Sequence, residues 1–193
     1  MPERHNRNSV RKSARADAVL HRQQLLIAAK SVFAEHGVFA PLELVILRAN
    51  VGRATLYRNF ADRKALMYAL LDEELRSYES YVAKLADRPD ALWMAFDYAV
   101  NAIIVSSAAL VAYWRSLDRN DPAVVKFYKR HVQIYRRPLE ICIEAGQCRA
   151  DLKPADIVLA VRMLTSELGG RSVRERQRLA RRAMKLLKRG LMC

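Results

Sequence analysis

Apolar residues recur every three or four positions along most of the chain, and no stretch alternates apolar and polar residues as a half-buried strand does. The first clear apolar stripe lies in residues 17–36, between Asp17, a suitable N-cap, and Gly37, a suitable helix stop. Another lies in residues 62–85, begins at Asp62, a suitable N-cap, and is long enough for a helix that joins two domains. The pattern therefore predicts an all-α protein.

Breaks in the pattern predict where the later helices begin. Asp121 followed by Pro122 is typical of a helix start, and the helix that follows is expected to kink near Pro138. Ser172 and Glu175 have the spacing of a capping box, which predicts the start of a last helix. That helix separates an apolar side from a side rich in arginine and lysine.

Two short helices and a tight turn are predicted within residues 41–60. The first helix is apolar, residues 49–52 form the turn, and residues 53–59 present polar, aromatic and basic side chains. A helix-turn-helix of this length places its second helix in the major groove of DNA. The side chains expected to reach base edges or phosphates are Arg53, Thr55, Tyr57, Arg58 and Asn59.

The chain from near His21 to Leu66 resembles the DNA-binding domain of the TetR/AcrR family of bacterial repressors. The similar segments are QLLIAAKSVFAEHG at 24–37, GVFAPLE at 37–43, VGRATLYRNF at 51–60 and DRKAL at 62–66. The rest of the chain matches the family only in length and helical pattern. The resemblance implies a basic arm (1–16), a three-helix helix-turn-helix DNA-binding domain (17–64) and a helical bundle for ligand binding and dimerisation (65–193).

The resemblance also implies roles for residues at the DNA. In the family, the third helix reads bases and the start of the fourth helix binds the backbone, which assigns Arg63 and Lys64 to phosphates. Three positions depart from the family pattern. Asn50 replaces the usual turn glycine and is expected to adopt its left-handed backbone. Ile46 replaces a small residue and Leu44 an acidic one, which changes the expected docking angle.

Positive charge is concentrated at the two ends of the chain. Residues 1–64 hold 12 Lys+Arg against 5 Asp+Glu, residues 65–170 hold 13 against 14, and residues 171–193 hold 9 against 1, within a net charge of +14. Basic ends around a near-neutral middle favour a polyanionic partner for the ends. Residues 1–16 are expected to be disordered in solution. They either become ordered along the phosphates or in the minor groove when DNA is present, or only aid solubility.

The sequence offers no support for an enzyme, a metal site or a cofactor. It has no acid–base dyad, phosphate loop, or Ser/Cys–His constellation, and its four histidines are scattered. Cys142, Cys148 and Cys193 make an odd count that fits a reducing cytoplasm, with buried spectator thiols favoured over a redox pair. The uncharged run 98–114 is expected to be a buried helix, not a membrane span.

The middle of the chain is rich in large side chains, which indicates either core packing or a ligand cavity. The resemblance favours a cavity for a hydrophobic or aromatic effector. The candidate lining residues are Trp93, Phe96, Tyr113, Trp114, Tyr128, Tyr135 and Met163. A homodimer contact is expected on the last two helices, at Leu159, Met163, Leu179, Ala183, Leu186 and Leu187.

Two functions of different classes remain open at this point. The first is a cytoplasmic, homodimeric repressor that binds a palindromic double-stranded DNA operator and is released by a small molecule. The second is an effector-independent DNA or nucleoid binder that uses the two basic ends. A flat affinity across unrelated DNA sequences would favour the second.

Overall fold

The structure, a computed structural model, describes residues 3–85, 87–105, 113, 116–166 and 172–191. These residues form helices and their connections, which confirms the all-α fold class. The helices are α1 (Glu3–His36), α2 (Leu42–Ala49), α3 (Arg53–Asn59), α4 (Arg63–Ala83), α5 (Ala91–Val105), α6 (Pro122–Ile134), α7 (Arg136–Glu144), α8 (Pro154–Ser166) and α9 (Val173–Leu191). The second half of the uncharged run 98–114, expected to be a buried helix, lies largely outside the described residues.

The chain divides into two compact units, Met1–Leu71 and Asp72–Cys193. The boundary lies within α4, seven residues beyond the predicted boundary at 64/65. Leu66, Met67 and Leu70, in the first turns of α4, are completely buried. This apolar part of α4 therefore belongs to the first unit.

Helix α1 begins at Glu3, so the prediction of a disordered arm followed by a helix from Asp17 differs from the structure. Residues 4–16 contain arginine, lysine and alanine, which are strong helix formers, and neither glycine nor proline. The helix therefore continues towards the N-terminus beyond Asp17. Apolar periodicity missed this segment because the segment has no apolar stripe.

The first unit is built around the inner faces of α1, α2 and α3. Leu25 and Phe33 of α1, Val45 of α2 and Leu56 of α3 are each at most 1% exposed. Helix α1 packs against both short helices, and these pack against each other. This core fixes which side of α3 is left for solvent.

The core of the second unit lies around α5, which packs against α7, α8 and α9. Leu92 and Phe96 on α5, Tyr135 between α6 and α7, and Ile157 on α8 are almost wholly buried. The predicted kink is a break between α6 and α7 at Tyr135. Pro138 explains the break, because its ring clashes with the carbonyl four residues earlier, at Ile134, where α6 ends.

The predicted helix starts agree with the side-chain caps. The carboxylate of Asp62 accepts a hydrogen bond from the Ala65 amide at 2.7 Å, and that of Asp121 accepts one from the Ala123 amide at 2.8 Å. Ser172 and Glu175 form the reciprocal bonds of a capping box. Among the described helices, none combines the length and the apolar character that crossing a bilayer requires.

Cys142 and Cys148 are joined by a disulfide, which corrects the expectation of two spectator thiols. After α7 the chain turns at Gly146, whose φ is +65°, and the Gln147 amide donates to the Cys142 carbonyl at 2.9 Å. This turn brings the two Cα atoms to 5.5 Å, within the range of a disulfide. Both cysteines are buried in the core of the second unit.

Candidate nucleic-acid interface

The turn between α2 and α3 depends on Asn50. This residue has φ 51° and ψ 48°, the left-handed conformation expected of it, and its amide donates to the carbonyls of Ile46 and Leu47. The Val51 amide also donates to Ile46, at 3.3 Å. These bonds satisfy the last carbonyls of α2 and turn the chain into α3, whose N-cap is Gly52. The replacement of glycine by asparagine thus leaves the turn intact.

Helix α3 buries one side and exposes the other. Leu56 is completely buried and Phe60, just after the helix, is 3% exposed, so both anchor α3 on the core of the first unit. Arg53, Tyr57 and Arg58 lie on the exposed side, with Tyr57 41% exposed. The outer face of α3 is therefore a convex surface that carries an aromatic ring between two cations.

Arg53 and Tyr57 are held near one another before any ligand is present. The guanidinium carbon of Arg53 lies 5.6 Å from the centre of the Tyr57 ring. Its Nη1 lies 3.6 Å from an Oε1 of Glu43 on α2. Both charged side chains are well exposed, so this pair adds little stability. Its effect is to limit the orientations of Arg53 and to leave the guanidinium accessible to a stronger anion.

Arg58 and Asn59 are bonded back onto α3. The Arg58 guanidinium donates to the Ala54 carbonyl at 3.3 Å and to the Thr55 hydroxyl at 3.2 Å. The Asn59 amide donates to the Thr55 carbonyl at 2.8 Å. Thr55 and Asn59 are half-buried. Contact with a base edge would require these local bonds to exchange, so Arg53 and Tyr57 are the more readily available pair.

Arg63 is placed differently from the other predicted contacts. Its two terminal nitrogens donate to the carbonyls of Val38 and Ala40 at 2.6 and 2.7 Å, and its guanidinium carbon lies 5.7 Å from the centre of the Phe33 ring. The side chain therefore fastens the connection between α1 and α2 to the start of α4. Lys64 is exposed, with its Nζ 5.6 Å from the centre of the Tyr68 ring.

A further charged cluster, which was not predicted from the sequence, connects α1 to α2. Arg48 donates to the Glu35 carboxylate, with Nη2 2.8 Å from Oε2, and to the Ser31 hydroxyl. The hydrogen bond from Arg48, followed by that from Ser31, lowers the pKa of Glu35 to about 2. Arg48 lies 13 residues from Glu35, so no local spacing rule identifies the pair.

The second unit contains an open groove of about 920 Å³, bounded by the end of α4, one side of α6 along its length, and α7. Its lining residues are Glu79, Val82, Ala83, Asp87, Ala91, Asn120, Pro122, Val125, Lys126, Lys129, Arg130, Gln133, Ile134, Arg137, Pro138 and Ile141. None of the predicted pocket residues that the structure describes lines it.

The predicted pocket residues are dispersed. Phe96 and Tyr135 are core residues with no exposed surface, Trp93 and Tyr113 are half-buried, and Tyr128 and Met163 are exposed. Trp114 lies outside the described residues. Aromatic rings at inward-facing helical positions fill the core of the second unit. The large number of aromatic residues in this region therefore reflects core packing and does not indicate where the groove lies.

The six predicted dimer residues divide into two sets. Leu179, Ala183 and Leu187 of α9 pack against the core of their own unit. Leu159, Met163 and Leu186 are 52%, 58% and 64% exposed.

The described residues contain no group of three or more His, Cys, Asp or Glu side chains placed to hold a metal ion.

No family model matches the sequence, and no curated protein matches it. Several solved structures, in contrast, are similar to this chain. A TetR transcription regulatory protein from Mycobacterium vanbaalenii is 26% identical, with a TM-score of 0.63, over 93% of this chain and 99% of that one. A TetR transcriptional regulator from Streptomyces coelicolor is 23% identical, with a TM-score of 0.59, over 89% of this chain and 98% of that one.

A gamma-butyrolactone receptor described as ArpA-like is 17% identical, with a TM-score of 0.59, over 91% of this chain and 90% of that one. At this identity the likeness concerns the fold. The structural neighbours cover both units of the chain, whereas the specific sequence resemblance runs only from near His21 to Leu66. The predicted resemblance to the TetR family is confirmed, and it extends along nearly the whole chain.

Proposed function

We propose that this chain, whose fold is that of the TetR-family transcriptional regulators, is a sequence-specific DNA-binding repressor. It acts as a homodimer on a palindromic operator and is released when a small molecule binds the second unit. Release requires the effector to prefer the DNA-free state of the protein. Since its target is chromosomal DNA, we place the protein in the cytoplasm.

The observation that carries the proposal is the outer face of α3. The left-handed Asn50 sets the turn, Leu56 anchors the helix, and Arg53, Tyr57 and Arg58 project together from the exposed side. Arginine can donate two hydrogen bonds to guanine, and a tyrosine hydroxyl can donate to a phosphate. A short, rigidly held helix with these groups suits the major groove.

Selection of binding sequences from a random duplex pool tests the proposal, because it needs no known operator. We expect a palindromic consensus to be enriched. Tyr57→Ala should weaken binding to that consensus by about 5- to 100-fold, the range of one lost specific contact. The melting temperature should stay unchanged, because the ring is exposed. Binding is measured by fluorescence anisotropy at fixed salt.

Tyr128→Ala is the matched control, since it makes the same change at an exposed tyrosine of the second unit. It should bind the consensus as the parent protein does. Equal binding by the Tyr57→Ala protein and the parent would show that α3 does not dock as proposed.

Dimerisation is proposed to use the exposed residues Leu159, Met163 and Leu186. Leu179, Ala183 and Leu187 hold α9 on the core of its own unit and so keep this surface in place. Two reading helices must lie ~34–36 Å apart to meet successive major grooves, which requires a fixed two-fold contact. Leu186→Glu should yield monomers in light scattering and abolish consensus binding. Leu20→Glu, at an exposed apolar position of α1, should leave the oligomeric state unchanged. A monomeric parent protein would refute the proposed dimer.

An alternative is the effector-independent DNA or nucleoid binder. The observation that favours it is the exposed cationic side of α9, formed by Arg174, Arg178, Arg181, Arg182 and Lys185. Such a surface binds phosphates without reading sequence. If no consensus emerges, and if charge reversal on α9 weakens DNA binding more than Tyr57→Ala does, this alternative replaces the repressor.

A further inference from the structure

The groove of the second unit has a largely apolar floor. Val82 and Ala83 come from α4, Val125 and Ile134 from α6, and Ile141 from α7. Its volume of about 920 Å³ falls within the range of small-molecule clefts, roughly 300–1,000 Å³. An elongated apolar chain or ring could therefore be buried along the floor.

The acidic residues of the groove are already neutralised. The Arg130 guanidinium donates to both carboxylate oxygens of Glu79, at 3.0 and 2.7 Å, and also pairs with Asp72. Asp87 pairs with Arg137 at 3.1 Å. These carboxylates raise the pKa of both arginines, which keeps the pairs ionised. The acidic lining therefore offers little attraction to a cationic ligand.

Lys126 and Lys129 complete the charge pattern. Both are exposed lining residues of α6, three positions apart and so on the same side of the helix. Neither has an ion-pair partner among the residues that the structure describes. The groove thus combines an apolar floor with two cations that no carboxylate of the described chain satisfies.

We propose that this groove binds an amphipathic carboxylate, with its apolar part along Val82, Val125 and Ile134 and its anionic head at Lys126 and Lys129. This assignment rests on the proposed effector response and names the class of effector. It departs from the expectation of an uncharged hydrophobic or aromatic ligand held among core rings. Phe96 and Tyr135 leave no space there, whereas the α4–α6–α7 groove is open.

Titration calorimetry with sodium decanoate below its micelle concentration tests the proposal on the full chain, without DNA. We expect saturable binding of decanoate and none of decyltrimethylammonium, which has the same chain and the opposite charge. The double variant Lys126→Gln, Lys129→Gln should weaken decanoate binding by roughly tenfold, the effect of two exposed charges. The matched double variant Lys84→Gln, Lys153→Gln removes two exposed lysines outside the groove and should bind as the parent does.

A second pair of variants examines the floor. Val125 is 36% exposed, so it can be changed without disturbing the core. Val125→Asp should abolish measurable decanoate binding. Val125→Asn introduces a side chain of nearly the same shape as aspartate but without its charge, and it should weaken decanoate binding by no more than about tenfold. Circular dichroism confirms that each variant is folded.

Three results would overturn the proposal: no saturable binding of decanoate, equal binding by the Lys126/Lys129 variant and the parent, or stronger binding of the cationic detergent. None of these affects the regulator itself, because consensus binding and its Tyr57 dependence are measured on DNA alone. Loss of the DNA consensus, with decanoate binding retained, would refute the repressor and leave the ligand site.

Discussion

The outer face of α3 and the inner face of α5 use aromatic side chains in opposite ways. Tyr57 on α3 is 41% exposed and lies beside Arg53, whereas Phe96 on α5 is completely buried. Helix α3 has seven residues and buries one of them deeply, while α5 is covered by α7, α8 and α9. A ring is available to a ligand only where the packing of its helix leaves it uncovered.

The two faces should respond differently to mutagenesis. Changes on the outer face of α3 should weaken DNA binding and leave stability unchanged. Changes on the inner face of α5 and on the residues packed against it should lower stability and leave the DNA-contacting surface intact.

Phe96→Ala should destabilise the protein by about 3–5 kcal/mol, because it leaves a cavity in the core of the second unit. The free energy of unfolding is measured in urea, with Tyr128→Ala as the exposed control. A folded Phe96→Ala protein of unchanged stability would contradict the assignment of this ring to the core. It would return Phe96 to the list of candidate ligand contacts.

His131→Phe should remove part of the acid sensitivity of the second unit. The imidazole packs near the rings of Tyr78, Phe127 and Tyr135, and burial, aided by Arg162, lowers its pKa to about 4. His131 therefore binds a proton near pH 6.5 in the unfolded chain, but only near pH 4 in the folded chain. The contribution of His131 to the free energy of unfolding is fully present above about pH 6.5 and falls as the pH decreases towards about 4.

Because some of the surface of His131 stays exposed, we expect this group to account for about 1–3 kcal/mol of the loss. Unfolding free energies at about pH 7.5 and about pH 5 are compared for His131→Phe and the parent. The carboxylates titrate in both proteins, so the difference between them reports His131. The same pH dependence in both would show that the imidazole is hydrated.

Arg63→Ala should lower stability by about 1–2 kcal/mol, since it leaves the carbonyls of Val38 and Ala40 without a charged donor. The slope of DNA affinity against salt should stay the same, because the guanidinium is engaged within the protein. Arg63→Lys serves as the conservative control. A shallower salt slope with unchanged stability would instead identify Arg63 as the phosphate contact implied by the family resemblance.

The separation between the two faces also explains how far sequence reasoning could reach. The positions of the helices other than the N-terminal part of α1, the caps at Asp62, Asp121 and Ser172, and the left-handed turn at Asn50 depend on residues within a few positions of one another. The exposed face of α3 follows from the same local periodicity. Local spacing is visible in a sequence, so these features were predicted.

Local spacing within the sequence thus specifies the helical framework and the polar, aromatic and basic outer face of a short helix. The use of side chains whose partners are distant follows only from tertiary packing. The acceptors of Arg63 lie 25 and 23 residues away, and Glu79 and Arg130 lie 51 residues apart. Tertiary packing also buried Phe96 and Tyr135 and assembled the groove from helices that are separate in the sequence. Such outcomes depend on how packed helices meet, a relation that no periodicity within one helix contains.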